Sequence, residues 1–283
     1  MKNIIISVLC ILTLGLPAKA QEPSATLTSE SLENVQIIRG MPVILHFSIA
    51  RQLGFSYEEA VWDLPDSVLR DPVFIRKLDS VFAPVQLSKP GDPWYSGFVF
   101  QLRQGAQGLS RSDLHLLKPL PSDTHQLDPQ TPLHLWLGID PGTTRALDPG
   151  KTALRIGIPV AGTGDTIWSN DLRLDITTEK IKSEKKCTAE QQRKVARYWL
   201  LRGECTKAAP LAGKLYGADS TYIGNTMLMA MVAECGEKTE TALHYYYKAY
   251  EQYMRQPEKG YEPPDLLMMK IGELQEKFYL KEP

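Results

Sequence analysis

Five histidines, His46, His115, His125, His134 and His244, are the side chains best suited to proton or metal chemistry near neutral pH. His115 and His134 fall on strand-like runs, with His125 in the loop between them. Three imidazoles could therefore meet in a β-rich half, but spacings of ten and nine fix no geometry. No acid or thiolate sits beside them in the chain, so surface or core histidines are expected rather than a metal centre. Asp140-Pro141-Gly142 and Asp148-Pro149-Gly150 could offer carboxylates to Ca²⁺. That tripeptide is first of all a turn former, and turns are what it predicts.

Motifs for catalysis are missing. The chain has no His-Glu-x-x-His and no Gly-x-Ser-x-Gly. Gly162-Thr163-Gly164-Asp165 lacks the Gly-Lys-Ser/Thr of a phosphate loop and predicts a hairpin turn. The expectation is a noncatalytic protein with no cofactor and no bound metal. Binding has better candidates. Tyr245, Tyr246, Tyr247, Tyr250 and Tyr253 cannot all face the core from one helix, and tyrosine suits interfaces. Tyr247 and Tyr253 are the candidate contact residues. Trp62, Trp94, Trp136 and Trp168 are candidates for stacking on a carbohydrate. Trp136 is the best placed, opposite the Leu133, Leu135, Leu137 and Ile139 face of its run.

These residues sit on two kinds of scaffold. From about Ala25 to Ile176 the apolar pattern has period two. It is clearest in Val43–Ile49, with further runs at Tyr95–Leu102, Leu114–Leu117, Leu133–Ile139, Leu154–Val160 and Leu172–Ile176. Short strands separated by turn residues predict an all-β sandwich or barrel, and Asp66–Ser80 reads as a helical insertion. The lysine-rich segment 177–187 reads as a linker. Thr188-Ala189-Glu190-Gln191 is a capping box that opens a helical half over 188–283. Leu267, Ile271, Leu274 and Phe278 form the apolar stripe of a closing helix that begins near Pro264.

The segment Glu30–Ile49, with its Gly40-Met41-Pro42 turn, and the closing Leu147–Ile156 resemble parts of bacterial immunoglobulin-like domains. The resemblance implies an immunoglobulin-like β-sandwich over 21–176. In the helical half Ala196 and Ala230, Ala208 and Ala242, Ala212 and Tyr246, Leu215 and Ala249, and Tyr216 and Tyr250 are each 34 residues apart. Residues 188–256 are similar to tetratricopeptide repeats. Gln192 and Thr226 stand where that family has an aromatic, and Ser220 and Met254 where it has proline. The resemblance implies stacked helical hairpins whose concave side binds peptides or partner segments. The same register puts Cys205 and Cys235 at one end of adjacent hairpins, implying a Cys205–Cys235 disulfide with Cys187 outside it. Three reduced thiols are the alternative.

Residues 1–20 read as a secretory signal: Lys2, an apolar Ile4–Leu16, then Ala18-Lys19-Ala20. Cys10 lies mid-run after Leu9, which does not suit lipidation. Without that segment, 30 basic face 33 acidic residues, a net of −3, too weak a field to recruit nucleic acid. No later stretch approaches the ~20 apolar residues of a membrane span. The sequence therefore predicts an exported protein, periplasmic or secreted, that adapts a protein or peptide partner in the bacterial cell envelope. The alternatives are carbohydrate binding by the β half, or a metal-dependent enzyme with its site there.

Overall fold

A computed structural model describes residues 23–29, 34–51, 61, 64–103, 109–129, 131–181, 187–255 and 265–279. The signal segment, Cys10, Trp62 and Pro264 lie outside these residues. The chain divides into a β-rich first half and a helical second half.

Strands β1 (Ser24–Thr28), β3 (Val43–Ala50), β6 (Leu114–Leu116) and β8 (Leu133–Ile139) form an antiparallel sheet in the order β1-β3-β8-β6. Alternation decides which side of it is buried. Leu45, Phe47, Leu135, Leu137 and Ile139 are fully buried, and the register sets Phe47 opposite Leu135 and Leu45 opposite Leu137. A second sheet joins β2 (Asn34–Arg39), β5 (Val99–Arg103), β9 (Gly150–Pro159), β10 (Thr166–Trp168) and β11 (Leu172–Lys180). Its order is β10-β9-β11-β2 with β5 also on β9, and β2 runs parallel to β11. Ile37, Leu154, Ile156, Leu174 and Ile176 from this sheet share one core with the first. Each such side chain contributes about 1.5–3 kcal/mol by leaving water. A small pair, β4 (Val85–Gln86) and β7 (Gln126–Leu127), lies beside them.

Several sequence expectations are corrected here. Thr177–Lys180, read as linker, continues β11, with Lys180 paired to Arg39. Tyr95–Leu102 is strand only from Val99, because Trp94–Gly97 forms turns. Asp140-Pro141-Gly142 opens a helix, α3 (Pro141–Ala146), instead of a turn. The Asp140 carboxylate caps it by accepting from Gly142 N at 2.6 Å and Thr143 N at 2.9 Å. The insertion is helical, as α1 (Asp66–Leu69) and α2 (Pro72–Phe82), around Phe74 and Leu78. Gly162–Asp165 lies between β9 and β10, which pair as an antiparallel hairpin.

The second half holds α4 (Ala189–Leu201), α5 (Cys205–Ala218), α6 (Ile223–Cys235), α7 (Thr239–Met254) and α8 (Asp265–Tyr279). The capping box starts α4: Thr188 Oγ1 accepts from Gln191 N, and Gln191 Oε1 accepts from Thr188 N. Both ends of α6 lie 34 residues beyond those of α4, and α7 starts 34 beyond α5. Each helix pair turns through three residues, with Gly203 at φ 79° in one turn and Glu237 at φ 58° in the other. Ala196, Ala208, Ala212, Ala230, Ala242 and Ala249 are all fully buried, as close helix approach demands. Gln192 is buried as well and donates to Cys187 O at 2.9 Å. Leu267, Ile271 and Leu274 bury one stripe of α8 against Ala230, Ala242 and Tyr246.

The two halves are packed together. Met41, Ile181 and Ile38 share a cluster with Cys187, Val195 and Leu211. Lys118 N donates to Leu201 O at 2.6 Å. The buried Tyr198 ring lies over Gly138 of β8, where an added Cβ would come 2.6 Å from Cε2.

Candidate functional site

Three places gather polar or aromatic groups: the outer face of the four-stranded sheet, the surface of the helical stack, and the junction of the two halves.

The outer sheet face follows from strand alternation. With Leu45, Phe47, Leu135 and Leu137 inside, His46, His134 and Trp136 point outward. His46 is opposite Trp136 in the register and His134 is opposite Ser48, so the imidazoles are diagonal neighbours. His46 Nε2 and His134 Nδ1 are 3.2 Å apart. The His46 ring also stacks on Trp136, centroids 4.3 Å apart and planes 28° apart. Burial, and then the charge of His134, push His46 below the usual imidazole value. His46 therefore stays neutral to lower pH than a free histidine.

This arrangement differs from the three-imidazole grouping of His115, His125 and His134. His134 meets His46 instead. His115 meets an acid that local sequence does not place beside it, its Nε2 lying 3.4 Å from Asp140 Oδ2. Burial pushes the Asp140 carboxyl up, but hydrogen bonds from Thr143 N, Gly142 N and His115 outweigh it and hold the group below the ordinary carboxylate range. Among the described residues no group of three or more His, Cys, Asp or Glu could hold a metal ion.

The tryptophans divide. Trp136 faces outward, but His46 covers part of its ring. Trp94 is 1% exposed and packs near Phe47 in the core, so it is no stacking platform. The Trp168 ring carries the Arg155 guanidinium 4.1 Å from its centroid.

On α7 the tyrosines point in different directions. Tyr246 is buried and its hydroxyl donates to Glu234 Oε2 at 2.6 Å. Lys270 Nζ reaches Glu234 Oε1 at 2.9 Å and Glu273 Oε2 at 3.0 Å, tying α8 to α6. Burial raises the Glu234 carboxyl, but the hydrogen bonds from Tyr246 and Lys270 prevail and hold it low. Burial and that same carboxylate push the Tyr246 phenol up. Tyr247 is 41% exposed, its hydroxyl accepting from Gln275 Nε2 at 2.5 Å. Tyr253 is half-buried, and Tyr250 packs beside Tyr246. Sequence reasoning passed over Tyr222, 47% exposed beneath the Arg193 guanidinium, and the exposed Met268 and Met269 of α8. Helical spacing places both methionines off the Leu267–Ile271–Leu274 stripe, a signal that could have found them.

Cys205 and Cys235 form a disulfide, Cα atoms 5.8 Å apart, joining the start of α5 to the end of α6. Cys187 is buried where the halves meet.

At the junction a cleft of about 400 Å³ lies between β2, the start of β3 and the first turn of α4. Gln36, Ile38, Pro42, Ile44, Gln191 and Lys194 are among its walls. Both halves build it, so no single stretch of sequence announces it.

No protein-family model matches the chain, and no characterised protein is similar to it in sequence. Among the described residues no helix is long and apolar enough to cross a membrane.

Proposed function

We propose that this chain is an exported, noncatalytic adaptor of the bacterial cell envelope. Its helical half binds a protein or peptide segment, and the β half presents the complex or holds a second component. The finer architecture that goes with this reading is an immunoglobulin-like sandwich followed by a tetratricopeptide-like stack. One observation carries it: both ends of α4 recur in α6, and the start of α5 recurs in α7, at a 34-residue offset, with alanine at each close approach. Repeats of that kind generate a continuous surface for extended ligands. Tyr247 supplies exposed aromatic area on it, with a hydroxyl already oriented by Gln275.

The test uses the full chain in intact cell envelopes, with a photo-reactive residue placed in turn at positions 247, 253, 191 and 136. A defined cross-linked partner at 247 or 253 supports recognition by the stack. A product at 191 alone moves recognition to the junction cleft, and one at 136 alone moves it to the sheet face. No product at any position sinks the adaptor reading. Truncation is the poorer test, because removing the helices would bare Met41, Ile181 and the Gly138 surface.

A further inference from the structure

The histidine pair on the sheet face has a use that partner binding does not require. We infer that His46 and His134 chelate one divalent transition-metal ion, Cu²⁺ before Zn²⁺, on the outer face of the four-stranded sheet. The span is the first argument. Two metal–nitrogen bonds of about 2.0–2.1 Å, meeting at an angle between cis-octahedral and tetrahedral, separate their nitrogens by roughly 2.9–3.4 Å. His46 Nε2 and His134 Nδ1 are 3.2 Å apart.

Rigidity is the second argument. β3 and β8 are the two inner strands of their sheet. The neighbours of the histidines along the chain, Leu45, Phe47, Leu133 and Leu135, are anchored in the core. The His46 ring is further held by its stack on Trp136. A pair fixed in this way loses little freedom when an ion arrives, which is the condition for chelation by only two side chains.

Protons balance without net release. In the neutral pair one ring N–H donates to the lone pair of the other ring. On metal binding that proton moves to the distal nitrogen of its own ring, leaving His46 as the Nδ1–H tautomer and His134 as the Nε2–H tautomer. A small turn of each ring about its Cβ–Cγ bond takes both lone pairs off the N···N line and onto the ion, and water completes its shell. Imidazole nitrogen selects Cu²⁺, Ni²⁺ and Zn²⁺ over Ca²⁺ and Mg²⁺, and Cu²⁺ binds such ligands most tightly.

The experiment titrates the full chain with CuCl₂ in a non-coordinating buffer near pH 7.5, followed by calorimetry and tryptophan fluorescence. The expected result is one saturable Cu²⁺ per chain, with quenching because Trp136 lies against a ligand. His134→Gln replaces an exposed side chain and should weaken the site by on the order of a hundredfold through loss of the chelate. His115→Gln should titrate like the unaltered protein. Zn²⁺ should compete for the same site more weakly, restoring fluorescence only in large excess over Cu²⁺. Identical titrations for His134→Gln and the unaltered chain overturn the inference, as does the absence of any saturable binding. Failure of the adaptor reading would leave this result untouched.

Discussion

Gly138→Ala is the most informative single change, because it pushes on the surface where the two halves meet. The added methyl would lie 2.6 Å from Tyr198 Cε2 and about 3.0 Å from the Leu117 methyls. Ordinary carbon contacts need about 3.5–4.0 Å, so the ring must retreat by roughly 1 Å. Tyr198 is fully buried and has nowhere open to go. Overpacking of this kind costs about 1–3 kcal/mol. Replacing a strand glycine returns about 0.5–1 kcal/mol of backbone entropy. The net is about 1–2 kcal/mol, or a fall in Tm of roughly 2–4 °C for a chain of this size. Thermal and urea unfolding measure it, with Tyr198→Leu as the second arm of a double-mutant cycle. With the ring gone, only the Leu117 methyls still crowd the added carbon, so the Gly138→Ala change should cost at least about 0.5 kcal/mol less than it does beside Tyr198. An equal penalty in both backgrounds would refute the packing argument, and no penalty at all would show that Tyr198 does not lie on this strand.

Other expectations follow from the same physics. Cys205–Cys235 closes a separation of 30 residues, for which loop entropy gives about 3.6 kcal/mol. Reduction, or the double change to serine, should therefore lower the urea midpoint strongly, and a shift worth under about 1 kcal/mol would contradict the loop account. Glu234 has its folded pKa held below the ordinary value, so its contribution is full above the unfolded carboxylate value of 4.5 and is lost as pH falls through the folded pKa. Glu234→Gln should flatten that acid limb of a stability-against-pH curve, and an unchanged limb would remove Glu234 from the account. Tyr247→Ala should leave stability within about 0.5 kcal/mol, since its ring is exposed, while weakening partner cross-linking at position 253.

Much of the architecture was legible wherever one face of an element is dry and the other wet. Val43–Ile49 and Leu133–Ile139 were readable as strands because each buries every second residue. The helical repeat was readable because alanine recurs where helices touch. Local signals failed where a residue's partner is distant or its role ambiguous. Thr177–Lys180 looks like linker because its side chains are largely solvated, yet its backbone lies along β2. Asp140-Pro141-Gly142 suits a turn and a helix start equally, and the Asp cap decides for the helix. Trp94 was legible as an aromatic but not as core, since nothing nearby in sequence reveals Phe47 packing against it. His46 and His134 are 88 positions apart, and only the antiparallel register makes them neighbours. The junction cleft draws on both halves, so neither half's periodicity describes it.

Glycine at 138 also bears on how such a chain can change over generations. The two halves are not interchangeable beads on a string. A recombination event that brought the helices to another sheet would deliver Tyr198 to a strand without the required gap. One that kept the sheet and exchanged the helices would leave an empty notch beside Leu117. Substitutions at 138 and 198 should therefore travel together through descent, and the pair should be inherited as a unit even where the loops around it diverge.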